Sequence, residues 1–429
     1  MARAVGIDFG TTNSAVAVAD GGGVPALACF DDGGDRVSTF RSILHFEPAE
    51  GRGRPRVRAG PAALERYLAT AGEGRLVQSI KSFLASPLFE STEVYGAVYA
   101  LEDLVACILS DLRAAAEAML GPLGPRVVVG RPVRFAGEPG SSDERLALSR
   151  LRSALARAGF EEVVFEYEPV AAAHHYALRL REPEVVLIGD FGGGTSDFSL
   201  LRLAPAPAGE RARHEILSTS GVGIAGDAFD GRIVRERVAP LLGRGTSYRN
   251  PFGDVLPVPR WLYARLERWH HLSFLRSPRT LQLLADLERE ALEPDRLRAF
   301  AHLVREDRGF HVYRAVEGAK RALSDAATTR IRYRDHVVAF DAALSRSEFD
   351  AGIASLLARI DACVDTALTL AGLVPGAVDR VFLTGGSAFV PAVRRLFERR
   401  FGAERLRGGD ELGAVASGLA LRARDAFAA

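Results

Sequence analysis

The chain is poor in cysteine, in long apolar runs and in net charge. Its three cysteines, Cys29, Cys107 and Cys363, are widely spaced and odd in number. This pattern argues against a disulfide framework or a cysteine zinc site and indicates reduced thiols in the cytoplasm. No apolar run approaches the length that spans a bilayer, and Met1 leads into a strand pattern without signal-peptide features. A net charge of +1 gives no bulk attraction to nucleic acid or to an anionic membrane.

The remaining composition is that of an ordinary globular protein with more than one core. Hydrophobic residues make up 48% and charged residues 25% of the 429 residues, which is typical of a soluble fold. A chain of this length is too long for a single core, so two or more domains are expected. Strand and helix patterns alternate along both halves, which predicts an α/β protein of two lobes with a cleft between them.

The most informative stretch is glycine-rich and flanked by aspartates. Asp190-Phe191-Gly192-Gly193-Gly194-Thr195-Ser196-Asp197 lies between the apolar runs 185–188 and 198–201, which predicts a strand, a tight turn and a strand. Bare N–H groups in such a turn form an anion site. The two aspartates would repel phosphate unless a divalent cation such as Mg²⁺ lay between them. An ordinary hairpin with solvated aspartates is the alternative.

Two other turns repeat this arrangement. Val5 to Ser14 also runs from an apolar strand into Asp-Phe-Gly followed by hydroxyl residues, which indicates an internal duplication holding one anion between two lobes. Thr384-Gly385-Gly386-Ser387 follows another buried strand and precedes a helix start, where backbone N–H groups favour anions. The hairpins at 5–14 and 190–197 do not fit a Walker loop, because they lack Gly-Lys-Ser/Thr. They do not fit a protein kinase either, because no His-Arg-Asp pattern precedes them.

Six segments follow one another in the order of a known family. They are Gly6–Ser14, Glu168–Ala173, Asp190–Thr195, Gly226–Asp230, Glu317–Ser324 and Gly385–Ser387. In combination they resemble the nucleotide-binding domain of heat shock protein 70 (DnaK-type) chaperones. The resemblance implies the two-lobed actin–hexokinase–DnaK ATPase fold, an α/β fold with duplicated βββαβα cores. A helical insert and the ending Gly408–Gly413 are most similar to the YegD branch of short members.

The resemblance also implies domain boundaries. Residues 1–170 would form the first lobe, with a small subdomain at 36–97. Residues 171–429 would form the second lobe, with an inserted, mostly helical subdomain at 236–345 and a closing helix at 411–429 that returns to the first lobe. The family's peptide clamp has no counterpart in this sequence, so no intrinsic peptide binding is expected, and a protein partner or co-chaperone would supply that contact.

The same resemblance assigns roles in binding ATP or ADP with Mg²⁺. Asp8, Asp190 and Asp197 would order the magnesium shell, and Glu168 would position the attacking water. Pro132 falls at the family's hinge proline. The remaining residues would hold the phosphates, ribose and adenine: Gly10, Thr11, Thr12, Asn13, Gly192, Gly193, Gly194, Thr195, Gly226, Glu317, Lys320, Ser324, Gly385, Gly386, Ser387 and Phe389.

One departure from the family concerns the lysine that contacts the γ-phosphate. The segment 60–66 is aligned with the family's Gly-x-Pro-Ala-Lys, and this places Leu64 nearest the lysine position. Arg66 and Lys81 are the nearby cations, but neither falls at that position. The sequence therefore predicts a slow ATPase. A non-catalytic nucleotide sensor that binds a partner, and a small-molecule kinase on the same fold, are the alternatives.

Overall fold

The computed structural model divides the chain into two compact units. It describes residues 3–21, 23–32, 34–49, 51, 53–70, 73–135, 143–177, 180–205, 213–268, 275–407 and 413–427. Unit 1 comprises Met1–Ala225, Arg359–Phe389 and Val393–Ala429, and unit 2 comprises Gly226–Ala358 and Val390–Ala392. The lobe and subdomain boundaries expected from the sequence stay predictions, and each unit is described by itself.

The strands are numbered along the chain. They are β1 (Ala4–Asp8), β2 (Asn13–Ala19), β3 (Ala26–Leu27), β4 (Phe30–Asp32), β5 (Asp35–Val37), β6 (Phe40–Arg41), β7 (Ile43–Glu47), β8 (Arg56–Ala59), β9 (Arg75–Gln78), β10 (Ser91–Val94), β11 (Ala97–Ala100), β12 (Arg126–Arg131), β13 (Glu162–Tyr167), β14 (Glu184–Phe191), β15 (Ser196–Ala204), β16 (Arg213–Val222), β17 (Ser247–Arg249), β18 (Val255–Pro257), β19 (Thr328–Arg334), β20 (Ala339–Ser345), β21 (Arg380–Thr384) and β22 (Leu406–Arg407).

The helices are numbered in the same way. They are α1 (Gly60–Ala69), α2 (Leu101–Leu120), α3 (Glu144–Arg157), α4 (Glu168–Ala177), α5 (Gly226–Ile233), α6 (Arg260–Leu266), α7 (Pro278–Glu290), α8 (Pro294–Arg305), α9 (Gly309–Ala322), α10 (Arg346–Ala371), α11 (Pro391–Phe401) and α12 (Ala414–Ala426). Short 3₁₀ helices cover Ile80–Phe83, Ala239–Leu242, Pro375–Ala377, Gly386–Phe389 and Ala403–Arg405, and a π-helical segment covers Val234–Val238.

Unit 1 contains two main sheets with the same strand order. The first runs β3-β2-β1-β12-β13, and the second runs β16-β15-β14-β21-β22. In each sheet the first three strands along the chain pair antiparallel, whereas the fourth and fifth pair parallel. Helices precede each of the parallel strands, as parallel connections require. The duplicated βββαβα plan predicted from the sequence is confirmed.

Residue size decides which helix can approach each face of the first sheet. Val5 and Ile7 of β1 point into a cluster of large apolar side chains that includes α2, whereas Ala4 faces a cluster rich in alanine. Successive residues of a strand face opposite sides of the sheet, so Gly6 shares the alanine face. A β-carbon at Gly6 would lie 2.2 Å from the backbone nitrogen of Ala420. Only small residues there let α12 pack directly on β1.

Unit 2 is built from helices and short hairpins around its own core. Helices α6 to α9 supply buried side chains, and Tyr263 stacks on Phe300 with ring centroids 4.8 Å apart. Strands β19 and β20 pair over seven residues each. Among the residues described in either unit, no helix is long and apolar enough to cross a bilayer.

Candidate nucleotide and metal site

The two glycine hairpins bring their turns close together in unit 1. Asp8 is the last residue of β1, and Asp190 lies one residue before the end of β14. A β-carbon at Gly194, in the second turn, would lie 3.7 Å from Thr11 Oγ1 in the first turn and 3.8 Å from Ser82 Oγ. The duplicated turns therefore face a common region together with the 3₁₀ helix Ile80–Phe83.

The third glycine turn contacts the second hairpin directly. Thr384 Oγ1, at the end of β21, donates a hydrogen bond of 2.8 Å to Asp190 Oδ1. Gly385 has a φ of +81°, and a β-carbon there would lie 2.1 Å from the carbonyl oxygen of Phe191. Glycine is required for both reasons. Ser387 Oγ donates to the carbonyl oxygen of Gly192 over 3.4 Å. Three turns predicted separately from the sequence thus meet in one place.

A buried ion pair lies beside the aspartates. Lys81 Nζ donates a hydrogen bond of 2.7 Å to Glu168 Oε1, and both side chains are buried. Lys81 sits in the first turn of a 3₁₀ helix whose preceding residue, Ser79, has a left-handed φ of 56°. This uncommon conformation for a serine sets the direction in which the helix starts. A β-carbon at Gly130 would approach Glu168 Cγ to 3.0 Å, so glycine leaves room for that glutamate.

Burial and mutual repulsion raise the pKa values of the aspartates. Desolvation and the charge of Glu168 raise the pKa of Asp190 to about 6, although the Thr384 hydroxyl and Lys81 oppose the shift. The same two causes raise the pKa values of Asp8 and Asp197 well above the usual range. For Lys81, burial lowers the pKa, but the nearby carboxylates, Glu168 first, outweigh it, and the net shift is upward.

The charges in this cluster fit a divalent cation. The charges of Glu168 and Asp190 act on both Asp8 and Asp197, and the ammonium of Lys81 acts on Asp8 and Asp190. Asp197 Oδ2 is buried without a hydrogen-bond partner among the described residues. Mg²⁺ binds one or two carboxylates together with water and phosphate oxygens. The donor set therefore suits Mg²⁺, which would relieve the repulsion that raises these pKa values.

A family model described as Hsp70 protein matches this chain over residues 77–241 and 308–424, more than half of its length. The chain belongs to the Hsp70 family. Members of this family have the actin–hexokinase ATPase fold, bind adenine nucleotides and are generally ATPases of chaperone type. The hairpin that carries Asp8 precedes the matched segments, and residues 242–307 lie between them.

The structure places Lys81, and not Leu64, in the charged cluster of this Hsp70 protein. Leu64 lies in α1 with a buried apolar side chain. Arg66 follows on the same helix, and its guanidinium pairs with Glu47 at 2.7 Å. An ammonium is therefore present beside Glu168, although the alignment of residues 60–66 predicted none. Lys81 was missed as the first choice because its partner lies 87 residues away in the sequence.

Four residues that the Hsp70 resemblance assigned to the nucleoside lie in unit 2. Gly226 begins α5, Glu317 and Lys320 lie on α9, and Ser324 follows that helix. Lys320 Nζ donates to Asp230 Oδ2 over 2.7 Å and approaches the carbonyl oxygen of Gly226 at 3.5 Å. Lys320 and the buried Asp230 thus form an ion pair within unit 2, and the roles of the four predicted residues toward nucleotide stay predictions.

The other predicted residues lie on the turns of unit 1. In the first turn, the backbone N–H of Gly10 donates to Ser14 Oγ over 3.3 Å. The carbonyl oxygen of Thr12 accepts a hydrogen bond from the Ser42 N–H over 2.9 Å. Phe389 ends the 3₁₀ helix Gly386–Phe389 and is half exposed. The sequence pointed to each of these turns through its glycines, but it gave Thr384 no role, although Thr384 contacts Asp190.

Proposed function

We propose that this Hsp70-family protein binds Mg·ATP at the carboxylate cluster of unit 1 and hydrolyses the ATP slowly. The observation that carries the proposal is the group of Asp8, Glu168, Asp190 and Asp197, of which Glu168 and Asp197 are buried, together with the ammonium of Lys81. It lies where three glycine turns of unit 1 meet. Such a group is costly without a cation, and glycine turns offer backbone N–H donors to phosphates.

In this proposal, Asp8, Asp190 and Asp197 hold the metal and the turns hold the phosphates. Mg²⁺ when bound neutralises negative charge on the phosphate oxygens. The N–H groups of Gly193 and Gly194 donate to phosphate oxygens, whereas that of Gly192 closes the turn by donating to the Thr195 carbonyl oxygen over 3.0 Å. The hydroxyl groups of the first turn supplement these donors. Phosphoryl transfer depends mainly on such positioning and charge neutralisation.

Lys81 and Glu168 take the two roles closest to the reaction. A phosphate oxygen gives the Lys81 ammonium a second acceptor besides Glu168, with which it pairs at 2.7 Å. Lys81 then stabilises the charge that develops on the transferred group. Glu168 accepts a hydrogen bond from the attacking water and orients it. The alternative of a purely sensing protein was based on the absence of a lysine at the position of Leu64, and the ammonium of Lys81 beside Glu168 supports hydrolysis over that alternative.

Three finer parts of the proposal come from the family resemblance. Nucleotide would drive closure of the two lobes, which small-angle scattering with and without ATP tests. A partner or co-chaperone would couple this change to a client. Placement in the YegD branch rests on the helical insert and on the ending Gly408–Gly413, of which residues 408–412 lie outside the described residues.

The test combines thermal stability with phosphate release. Because a ligand that binds only the folded state raises its apparent stability, ATP should raise the melting temperature, and more so with Mg²⁺ than with EDTA. Radiolabelled ATP should release phosphate slowly without an added acceptor. If the label moves to an added sugar or acid instead, the protein is a kinase. No thermal shift at saturating ATP would refute the site.

A matched pair of variants separates binding from hydrolysis. Glu168→Gln should keep the thermal shift with Mg·ATP but lower the single-turnover rate, since an amide orients water less well than a carboxylate does. Glu166→Gln, two residues earlier on β13, is the control because Glu166 pairs with Arg422 at 3.1 Å and not with Lys81. Equal rates for the two variants would exclude Glu168 from the reaction.

A further inference from the structure

Two histidines and an aspartate converge at the end of one hairpin in unit 2. Asp335 and His336 form the turn between β19 and β20, and His302 reaches them from α8. Each of the three offers a ligand atom, and these atoms lie within 4.8 Å of one another. His302 is 8% exposed and His336 is exposed. The arrangement is thus buried on one side and open on the other.

The carboxylate of Asp335 is held in place by its own turn. Its Oδ1 accepts hydrogen bonds from the N–H groups of Val337 and Val338, at 2.8 and 2.6 Å. Its Oδ2 accepts one from the Tyr333 hydroxyl at 2.6 Å. Burial raises the pKa of Asp335, but these hydrogen bonds and that of His302 outweigh it and hold it below its usual range. Such outer partners fix and orient a metal-binding carboxylate.

The remaining direction of the carboxylate faces the histidines. His302 Nε2 lies 2.9 Å from Asp335 Oδ2, and the rings of His302 and His336 are 5.0 Å apart at an angle of 85°. In a tetrahedral site with bonds of about 2.0–2.1 Å, two ligand atoms are separated by roughly 3.3 Å. An ion can therefore enter between His302 and Asp335 if they part by a few tenths of an ångström and the Nε2 proton is lost to solvent, with the neutral ring keeping its proton on Nδ1.

We propose that His302, Asp335 and His336 bind one divalent cation of the Zn²⁺ class. Two imidazoles and one carboxylate are a common zinc donor set, with water in the fourth position, and imidazole does not suit Mg²⁺. His302 and Asp335 are 33 residues apart in the sequence. The bound ion therefore cross-links α8 to the β19–β20 hairpin. This site is independent of the nucleotide site proposed for unit 1.

The test uses Zn²⁺ and Co²⁺ alone on the full chain, purified without a histidine tag. Equilibrium dialysis should find one tightly held Zn²⁺ per chain, and Zn²⁺ should raise the melting temperature. Co²⁺ should give the visible absorption of a four-coordinate ion, and Zn²⁺ should remove it. Absence of any stoichiometric binding would show that the His302–Asp335 contact is only a structural hydrogen bond, and would overturn the proposal.

Variants assign the ligands. His336→Ala changes an exposed side chain, so the fold should persist while Zn²⁺ affinity falls by more than about tenfold. His302→Gln keeps a hydrogen-bonding group toward Asp335 and should lose Zn²⁺ to a similar extent. His214→Ala removes another exposed histidine, on β16, which is not part of this group of ligand atoms, and should leave binding unchanged. If His214→Ala loses the ion while His336→Ala retains it, the proposed ligands are wrong.

Discussion

The two duplicated hairpins of unit 1 have the same backbone arrangement but carry different numbers of carboxylates. In the first hairpin Asp8 of β1 lies opposite Ala15 of β2, and in the second Asp190 of β14 lies opposite Asp197 of β15. The second hairpin therefore carries two carboxylates where the first carries one and an alanine. Duplication preserved strand order and register, whereas the residues at the functional end diverged.

The surroundings of the two aspartates diverged as well. Asp190 lies opposite Thr384 of the parallel strand β21 and accepts a hydrogen bond from its hydroxyl. In the first sheet, Gly130 of β12 leaves the corresponding space to the side chain of Glu168, which pairs with Lys81. In the proposed site, the second hairpin therefore contributes two of the three metal-binding carboxylates, and the region around the first contributes Lys81 and Glu168, which would act on phosphate and water. The predictions below test this division, from the largest expected effect to the smallest.

Leu64→Lys tests whether a cation can reach the first hairpin from α1. Leu64 is 5% exposed, so a lysine there buries an ammonium without a planned partner. We expect a loss of about 3–5 kcal/mol in the free energy of unfolding and no gain in hydrolysis. Urea unfolding and single-turnover assays measure both. Leu64→Met is the control. Faster hydrolysis by Leu64→Lys would show that the family lysine does belong at position 64, as the alignment of residues 60–66 predicted.

Lys81→Met tests the cation that the structure places beside the first hairpin. Removing one preorganised group that stabilises transition-state charge costs about 10²–10³ in kcat, and we expect a loss of this size with ATP binding retained. Single-turnover hydrolysis measures it. Arg66→Met removes a nearby cation that pairs with Glu47 instead, so its rate should stay near that of the wild type. Equal losses in both variants would contradict the proposed role of Lys81.

Asp190→Asn tests the cation site of the second hairpin through pH. The pKa of Asp190 is raised from 3.8 to about 6 in the folded protein, so the folded state holds this proton more tightly than the unfolded chain does. Between these two values, rising pH should lower the stability contributed by Asp190 and strengthen Mg·ATP binding as the carboxylate ionises. Melting temperatures with and without Mg·ATP give both profiles.

The comparison of variants isolates Asp190 from the titration of ATP itself. The profiles of melting temperature against pH should differ between the wild type and Asp190→Asn by a change near pH 6, called here the Asp190 step. Asp379→Asn changes a carboxylate at the other end of β14, where it accepts from the Val185 N–H at 2.8 Å, and it should keep the wild-type step. A step that survives in Asp190→Asn belongs to another group.

Thr384→Val should give the smallest effect. The Thr384 hydroxyl stabilises the charged form of Asp190. A hydrogen bond to a charged group contributes about 1.5–3 kcal/mol, which corresponds to a rise of roughly one pH unit or more in the Asp190 step. Ser42→Ala removes a buried hydroxyl, between β6 and β7, that is bonded to Ser14 of the first hairpin at 2.9 Å, and it should leave the step in place. A Thr384→Val profile that coincides with the wild type would disprove this coupling.

The sequence by itself determined the duplicated α/β fold and the three glycine turns. Continuous apolar strands and glycines at strand ends are local patterns, and they pointed to Asp8, Asp190 and Gly385 without knowledge of the fold. The family resemblance assigned Glu168 a role toward the attacking water, and in the structure Glu168 is the first residue of α4. All of these signals lie within a few neighbouring residues.

Only the tertiary structure decided which side chains meet these turns. Lys81 reaches Glu168 across 87 residues, and Thr384 reaches Asp190 across 194. Neither contact has a local signature, because chain folding and sheet pairing bring the partners together. The sequence shows which side chains can carry a charge. The energetic effect of each charge depends on its burial and on its distance from other charges, and these are properties of the folded chain alone.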